Sequence, residues 1–256
     1  MTLTPAETNG AGLPLELRQV ARRFGRRWAL RGVNLVVQPG EVVAVTGANG
    51  SGKSTLLRVA STAVTITAGS GSVFGHDLRR RPDAVRPYVG LLGHAPGLYD
   101  DLTVTENLEF AARMLALDSP GSAISRALEV CGLSGHAKER VRTLSSGWQR
   151  RVSLARLWMQ TPRLLLLDEP YNSFDEEGVA IVNGLIEEAR ARGGAALVVT
   201  HSLAQAAAIM DRRVTLLHGV IRDAATPQLH DGALSRDGAR PAARRVAGGQ
   251  AALELS

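Results

Sequence analysis

Cysteine, lysine and aromatic residues are scarce in this 256-residue chain, and no long apolar run interrupts it. The single cysteine, Cys131, excludes an intramolecular disulfide framework and suits a reducing compartment. It recurs with Ile124 and Leu128 at helical spacing, which points to a core position rather than a reactive thiol. No apolar stretch approaches the roughly 18–20 residues that cross a bilayer, and Met1–Pro14 has neither a basic n-region nor an apolar h-region, so the expectation is a chain that stays in the cytosol. Only Lys53 and Lys138 among the 30 basic residues are lysines, and the net charge is +6. Such a surplus invites nucleic acid or an anionic membrane face. With no dense basic block or interleaved aromatics, a general preference for Arg and Ala is the better reading, and no nucleic-acid partner is expected.

What is present is a globular composition, 45% hydrophobic and 21% charged, enough for one large α/β domain or two small ones. A flexible leader is expected over residues 1–14. Strand-type segments follow at Leu15–Val20, Val33–Val37 and Glu41–Thr46, with a turn at Gln38-Pro39-Gly40. Residues 100–160 read as helical: Thr103 and Glu106 make a capping box, and Leu108, Ala111, Ala112 and Leu115 share one face. The apolar run Leu164–Leu167 predicts a strand buried on both faces. A helix is predicted from about Glu176 to Arg192, closed by Gly193-Gly194, then a strand at Leu197–Thr200 and a hairpin turning at His218-Gly219. Residues 223–256, rich in Ala, Gly and Arg, read as a loosely ordered tail.

The strongest single motif is Gly47-Ala48-Asn49-Gly50-Ser51-Gly52-Lys53-Ser54, which fits G-x-x-x-x-G-K-[ST], lies between a predicted strand and a predicted helix, and is followed by Thr55. Its residue types match a phosphate cradle. Glycines let backbone N–H groups turn inward, the helix presents its positive N-terminus, Lys53 reaches the β- and γ-phosphates, and Ser54 can ligate Mg²⁺. A nucleotide's phosphates and Mg²⁺ are the ligands this motif suits, and by itself it does not say which NTPase the chain is.

Later motifs narrow the class. Leu144-Ser145-Ser146-Gly147-Trp148-Gln149, followed by Arg150–Arg156, resembles the signature motif of ATP-binding cassette (ABC) ATPases. Asp168-Glu169 after the apolar run resembles that family's Walker B segment, Ser173-Phe174-Asp175 its D-loop, and His201 its switch histidine; Phe24 stands where an aromatic stacks on adenine. The resemblance covers residues 15–222 and implies a P-loop NTPase fold, with a RecA-like α/β core, an antiparallel β subdomain and a helical subdomain near residues 100–160. It implies that Asp168 holds Mg²⁺ through water, that Glu169 polarises the attacking water, and that His201 contacts the γ-phosphate and Glu169. It also implies a head-to-tail dimer, in which Ser145 and Gly147 close on the nucleotide held by the partner's Lys53.

The sequence departs from the family pattern in two places, the Q-loop and the signature. His94 stands where a Q-loop glutamine is usual, leaving the timing of activation open; Ser146 and Trp148 replace a glycine and a glutamine of the signature. Trp148 reads either as a packing residue or as a contact to the partner's nucleotide. Together with Gly93-His94-x-Pro96-Gly97, Glu106-Asn107-Leu108 and Gln149–Trp158, these features resemble the CcmA-type ATPase subunits of haem exporters in cytochrome c maturation; drug and multidrug exporter ATPases are the alternative. Either resemblance implies integral membrane partner subunits, a Ccm-type permease in the first case, and a place at the cytoplasmic face of the membrane. The segment His94–Asp101, with Leu98 and Tyr99, is the expected docking surface, core packing being the other role open to Leu98.

Overall fold

The computed structural model describes residues 12–201 and 203–222, so most of the expected leader and all of the expected tail lie outside the described residues. In chain order the strands are β1 (Leu15–Phe24), β2 (Arg27–Val37), β3 (Val42–Thr46), β4 (Ala68–Val73), β5 (His76–Asp77), β6 (Val89–Leu92), β7 (Leu164–Asp168), β8 (Ala195–Val199), β9 (Arg212–Leu217) and β10 (Val220–Arg222). The α-helices are α1 (Lys53–Ala60), α2 (Pro82–Val85), α3 (Val104–Met114), α4 (Pro120–Val130), α5 (Ser146–Gln160), α6 (Glu176–Ala191) and α7 (Leu203–Ala206).

Two sheets carry the chain. An antiparallel sheet runs β2-β1-β4-β5, and a six-stranded sheet runs β10-β9-β3-β8-β7-β6, parallel except at the β9–β10 hairpin. Strands β7 and β8 are buried at every residue, as continuous apolar runs require when both faces are covered. Their alternation sorts the core in two. Leu165, Leu167, Ala196 and Val198 pack with Val182, Leu185 and Ile186 of α6 and with the helical segment, whereas Leu164, Leu166, Leu197 and Val199 pack with Leu56 and Leu57 of α1 and with the antiparallel sheet.

The helical stretch is three helices rather than one run. Thr103 and Glu106 form the expected capping box, with Glu106 N–H on Thr103 Oγ1 at 3.2 Å and Thr103 N–H on Glu106 Oε2 at 2.7 Å. Left-handed Ala116 follows α3, and between α4 and α5 the chain makes two short 3₁₀ turns at Ser134–His136 and Val141–Thr143. Leu108, Ala111 and Ala112 are buried as expected, Leu115 only partly. Cys131 caps the end of α4 and is fully buried.

The sequence pattern leaves β4 unassigned, because Ala-Gly-Ser-Gly-Ser-Val has little that favours a strand. It pairs with β1 through Leu17↔Gly71, where space is tight: a Cβ there would lie 2.8 Å from the ends of both the Leu17 and Leu78 side chains, which would have to shift. The tip of the β1–β2 hairpin corrects the reading that basic residues lack interleaved aromatics. Arg22 lies 4.4 Å over the Phe24 ring and Arg23 5.4 Å from that of Trp28, with Arg26 and Arg27 alongside on the exposed turn.

Candidate functional site

β3 ends at Thr46 and α1 begins at Lys53, so residues 47–52 form the turn between a central strand and a helix N-terminus. Two glycines there have no substitute. Gly47 (φ 144°) and Gly52 (φ 111°) adopt conformations hostile to side chains, and a Cβ would meet Leu216 O at 2.2 Å or Ala29 O at 2.5 Å. Lys53 is buried, its Nζ donating to Gly47 O at 2.6 Å and Ala48 O at 3.1 Å, which fixes the ammonium within the loop. The first turn of α1 has no acidic residue and Gly52 offers no side-chain cap, so no protein carboxylate competes there with an incoming anion.

β7 and β8 run side by side with Asp168 opposite Val199, bringing Asp168, Glu169 and His201 to the same edge of the sheet. Asp168 is buried at the strand end. Glu169 is left-handed (φ 48°), with its N–H on Val199 O at 2.8 Å. The His201 N–H donates to Glu169 Oε2 at 3.2 Å; Oε1 is buried without a hydrogen bond, and His201 Nε2 approaches it at 3.4 Å.

One cleft of about 700 Å³ gathers Phe24, Asn49, Gly50, Gly52, Lys53, Ser54, Thr55, His94, Asp168, Glu169 and His201 from five separate segments. Gly47, Ala48 and Ser51 build the loop around it. Sequence reasoning missed three lining residues, Arg27, Ala29 and Asn172. Arg27 belongs to the arginine–aromatic hairpin, the one signal that could have pointed to it. The volume lies within the roughly 300–1,000 Å³ typical of small-molecule sites. Among the described residues no cluster of three or more His, Cys, Asp or Glu could hold a metal alone. The donor set suits Mg²⁺, which takes one or two protein ligands and completes its shell with phosphate and water.

Ser145 and Gly147 are not in that cleft. They open with Trp148, Arg151 and Ser173–Asp175 into a separate depression of about 200 Å³. Ser145 is the N-cap of α5, its Oγ accepting the Trp148 N–H at 3.4 Å, and no acidic residue occupies the first turn. The Trp148 ring packs between His136, centroids 4.1 Å apart, and the Arg151 guanidinium at 4.8 Å. Arg151 is 4% exposed and bonds to Asp175 at 2.8 Å and Glu177 at 2.9 Å, tying the signature helix to the D-loop segment. The Gly178 N–H, followed by Arg151, holds the Asp175 carboxyl below the usual carboxylate range.

The ABC transporter family profile matches residues 30–172. Similar curated proteins include the cytochrome c biogenesis ATP-binding export protein CcmA of Xanthomonas campestris pv. campestris, 42% identical over 70% of this chain and 83% of the relative. Its namesake in Salmonella typhi is 37% identical over 80% of this chain and 98% of the relative. Among solved structures, an ATP-binding subunit of an ABC transporter superposes with TM-score 0.75 at 27% identity, covering 82% of this chain and 88% of that one. A dimeric ATP-binding cassette in a post-hydrolysis state with ADP and Pi gives TM-score 0.74 at 25% identity, covering 82% and 97%. By this family match and these identities, the chain belongs to the ABC transporter family as an ATP-binding subunit of the CcmA type.

Proposed function

We propose that this chain binds and hydrolyses Mg²⁺-ATP in the cleft around Lys53 and couples the reaction to membrane subunits that export haem for cytochrome c biogenesis. The observation that carries this reading is the split of the motif set: Lys53, Ser54, Asp168, Glu169 and His201 share one cleft, while Ser145 and Gly147 open elsewhere. Two copies arranged head to tail complete each other's sites, the α5 N-terminus of one meeting the phosphates held by the other.

Within one protomer, the loop N–H groups and Lys53 hold the phosphates, and Phe24, half exposed at the cleft rim, offers a ring to the base. Mg²⁺, held by Ser54 and through water by Asp168, would neutralise charge on the β- and γ-phosphates. Glu169 takes the proton of the attacking water, and His201 restrains its carboxylate.

His94 lines both this cleft and a neighbouring groove of about 370 Å³, whose apolar wall includes Phe110 and Met114, 42% and 72% exposed. That groove suits an apolar-faced helix of the membrane partner on the cytoplasmic side, with His94 reporting its position to the nucleotide. Leu98 packs partly against the core, whereas Tyr99 is exposed and meets Phe110 edge-on at 4.8 Å. None of the described helices is long and apolar enough to cross a membrane, and a substrate path in a partner subunit fits that.

Purification of the full chain from membranes tests the proposal. Co-purifying Ccm-type membrane subunits and Mg²⁺-dependent ATP turnover are expected; a drug-exporter permease in their place overturns the haem assignment, and absence of turnover in the complex overturns the catalytic one.

A further inference from the structure

The peptide backbone of Glu169 is gripped from behind by an arginine that no motif reading singled out. Arg150 Nη2 donates to Asp168 O and to Glu169 O, each at 2.6 Å. These carbonyls flank the left-handed Glu169, a conformation that is unfavourable for a non-glycine residue and persists only when surrounding contacts impose it. Val199 O and Asn172 N–H hold the same residue at 2.8 and 3.3 Å, but those bonds come from the strand edge and the following turn. Arg150 alone among these contacts comes from α5, one and a half turns beyond the N-cap Ser145.

We propose that Arg150 is a positioning residue: it fixes the backbone that aims the Glu169 carboxylate and links that aim to the position of the signature helix. When α5 shifts as its N-terminus engages the nucleotide held by a partner copy, Arg150 carries the shift to Glu169 within its own protomer. Each copy's hydrolytic geometry thus depends on whether its own signature helix is engaged. A single guanidinium nitrogen bridging two carbonyls transmits displacement to both at once. The inference rests on the reading of Glu169 as the group that takes the proton of water.

The test is a double-mutant cycle in the full chain with its membrane partners, measuring ATP turnover, KM and the affinity for a fluorescent ATP analogue. Arg150→Gln lowers kcat about 10- to 100-fold, while KM and analogue affinity stay within about twofold. Arg150→Lys recovers part of the rate, because an ammonium keeps the charge but not the planar fork. In a Glu169→Gln background, Arg150→Gln lowers the residual rate by less than about twofold, because its effect passes through the missing carboxylate. Unchanged kcat in Arg150→Gln beside an inactive Glu169→Gln overturns this inference alone, as does a full additional loss in the double variant. Undiminished turnover in Glu169→Gln overturns the reading of Glu169 and this inference with it. If Arg150→Gln lacks a cooperative melting transition, Arg150→Lys in both backgrounds completes the cycle: a kcat loss smaller than about 10-fold with Glu169 present and less than about twofold in Glu169→Gln support the inference, and equal losses in the two backgrounds overturn it.

Discussion

His201 holds the Glu169 carboxylate through its backbone: the N–H donates to Oε2 at 3.2 Å, while the ring Nε2 stands 3.4 Å from Oε1, which has no hydrogen bond. The two residues follow adjacent parallel strands, so their approach is set by the register that puts Asp168 opposite Val199. Glu169→Gln keeps the shape and removes the base; turnover falls about 10²- to 10⁴-fold while ATP affinity holds within about twofold. His201→Ala keeps the backbone N–H on Oε2 and removes only the ring beside Oε1, so its kcat loss is smaller. Single-turnover hydrolysis with labelled ATP, beside equilibrium nucleotide binding, checks both.

Gly147 supplies the second expectation. It lies outside the nucleotide cleft, in the first turn of α5, where a Cβ would stand 2.9 Å from Ser173 O. Gly147→Asp places a carboxylate at the helix end that would receive the partner's phosphate, and it presses on the D-loop segment. Turnover falls at least about 100-fold, and nucleotide affinity of the isolated chain changes less than about twofold, because the cleft in the same protomer is untouched. Binding isotherms of the isolated variant against turnover of its complex separate the two effects.

Much of this site was legible because its pieces are bound to strand and helix ends. The loop of residues 47–52, Asp168-Glu169 and His201 each terminate a buried strand, and an apolar run announces such a strand whatever surrounds it. What stayed hidden had no local signature. β4 exists because β1 offers it a ladder, not because its own residues favour extension. Arg150 looks like any arginine of an arginine-rich helix until two carbonyls 18 and 19 residues away converge on it. The proposal that Ser145 and Gly147 serve a different copy rests on family resemblance and on their place outside the cleft, since spacing along one chain carries no information about a second.

Arg151 underlies the third expectation. It is buried, whereas its partners Asp175 and Glu177 are 68% and 67% exposed, so its removal leaves carboxylates that water can solvate. Arg151→Ala therefore costs less than a fully buried pair would, about 1–3 kcal/mol, part of it from the lost contact of the guanidinium with the Trp148 ring. The melting temperature drops about 3–10 °C. The loosened D-loop segment also lowers turnover in the dimer. Arg151→Lys restores less stability than charge alone predicts, because an ammonium does not reproduce the planar contact with the indole. Thermal melts of the three proteins at one ionic strength decide the point.

Alkaline pH probes the core directly. Burial pushes the Cys131 thiol up to about 12 from an ordinary 9.0, and burial likewise pushes the Tyr171 hydroxyl up to about 12 from 10.0, where it bonds Asn183 Oδ1 at 3.0 Å. Below about pH 8 both groups are protonated in the folded and unfolded chain, and their titration adds no slope to stability. From about pH 9 upward the unfolded chain releases protons that the folded chain retains, so stability declines until the folded groups ionise near pH 12. Tyr171→Phe costs about 1 kcal/mol at pH 7 through the lost hydrogen bond, yet it flattens the alkaline decline because one of the two titrating groups is gone. Cys131→Ala flattens it further. In the parent protein at pH 8, the thiol stays unreactive toward alkylating reagents until the chain unfolds, since thiolate is the reacting form. Denaturant melts from pH 7 to 11 on the parent and both variants, with alkylation followed by mass, measure each of these outcomes.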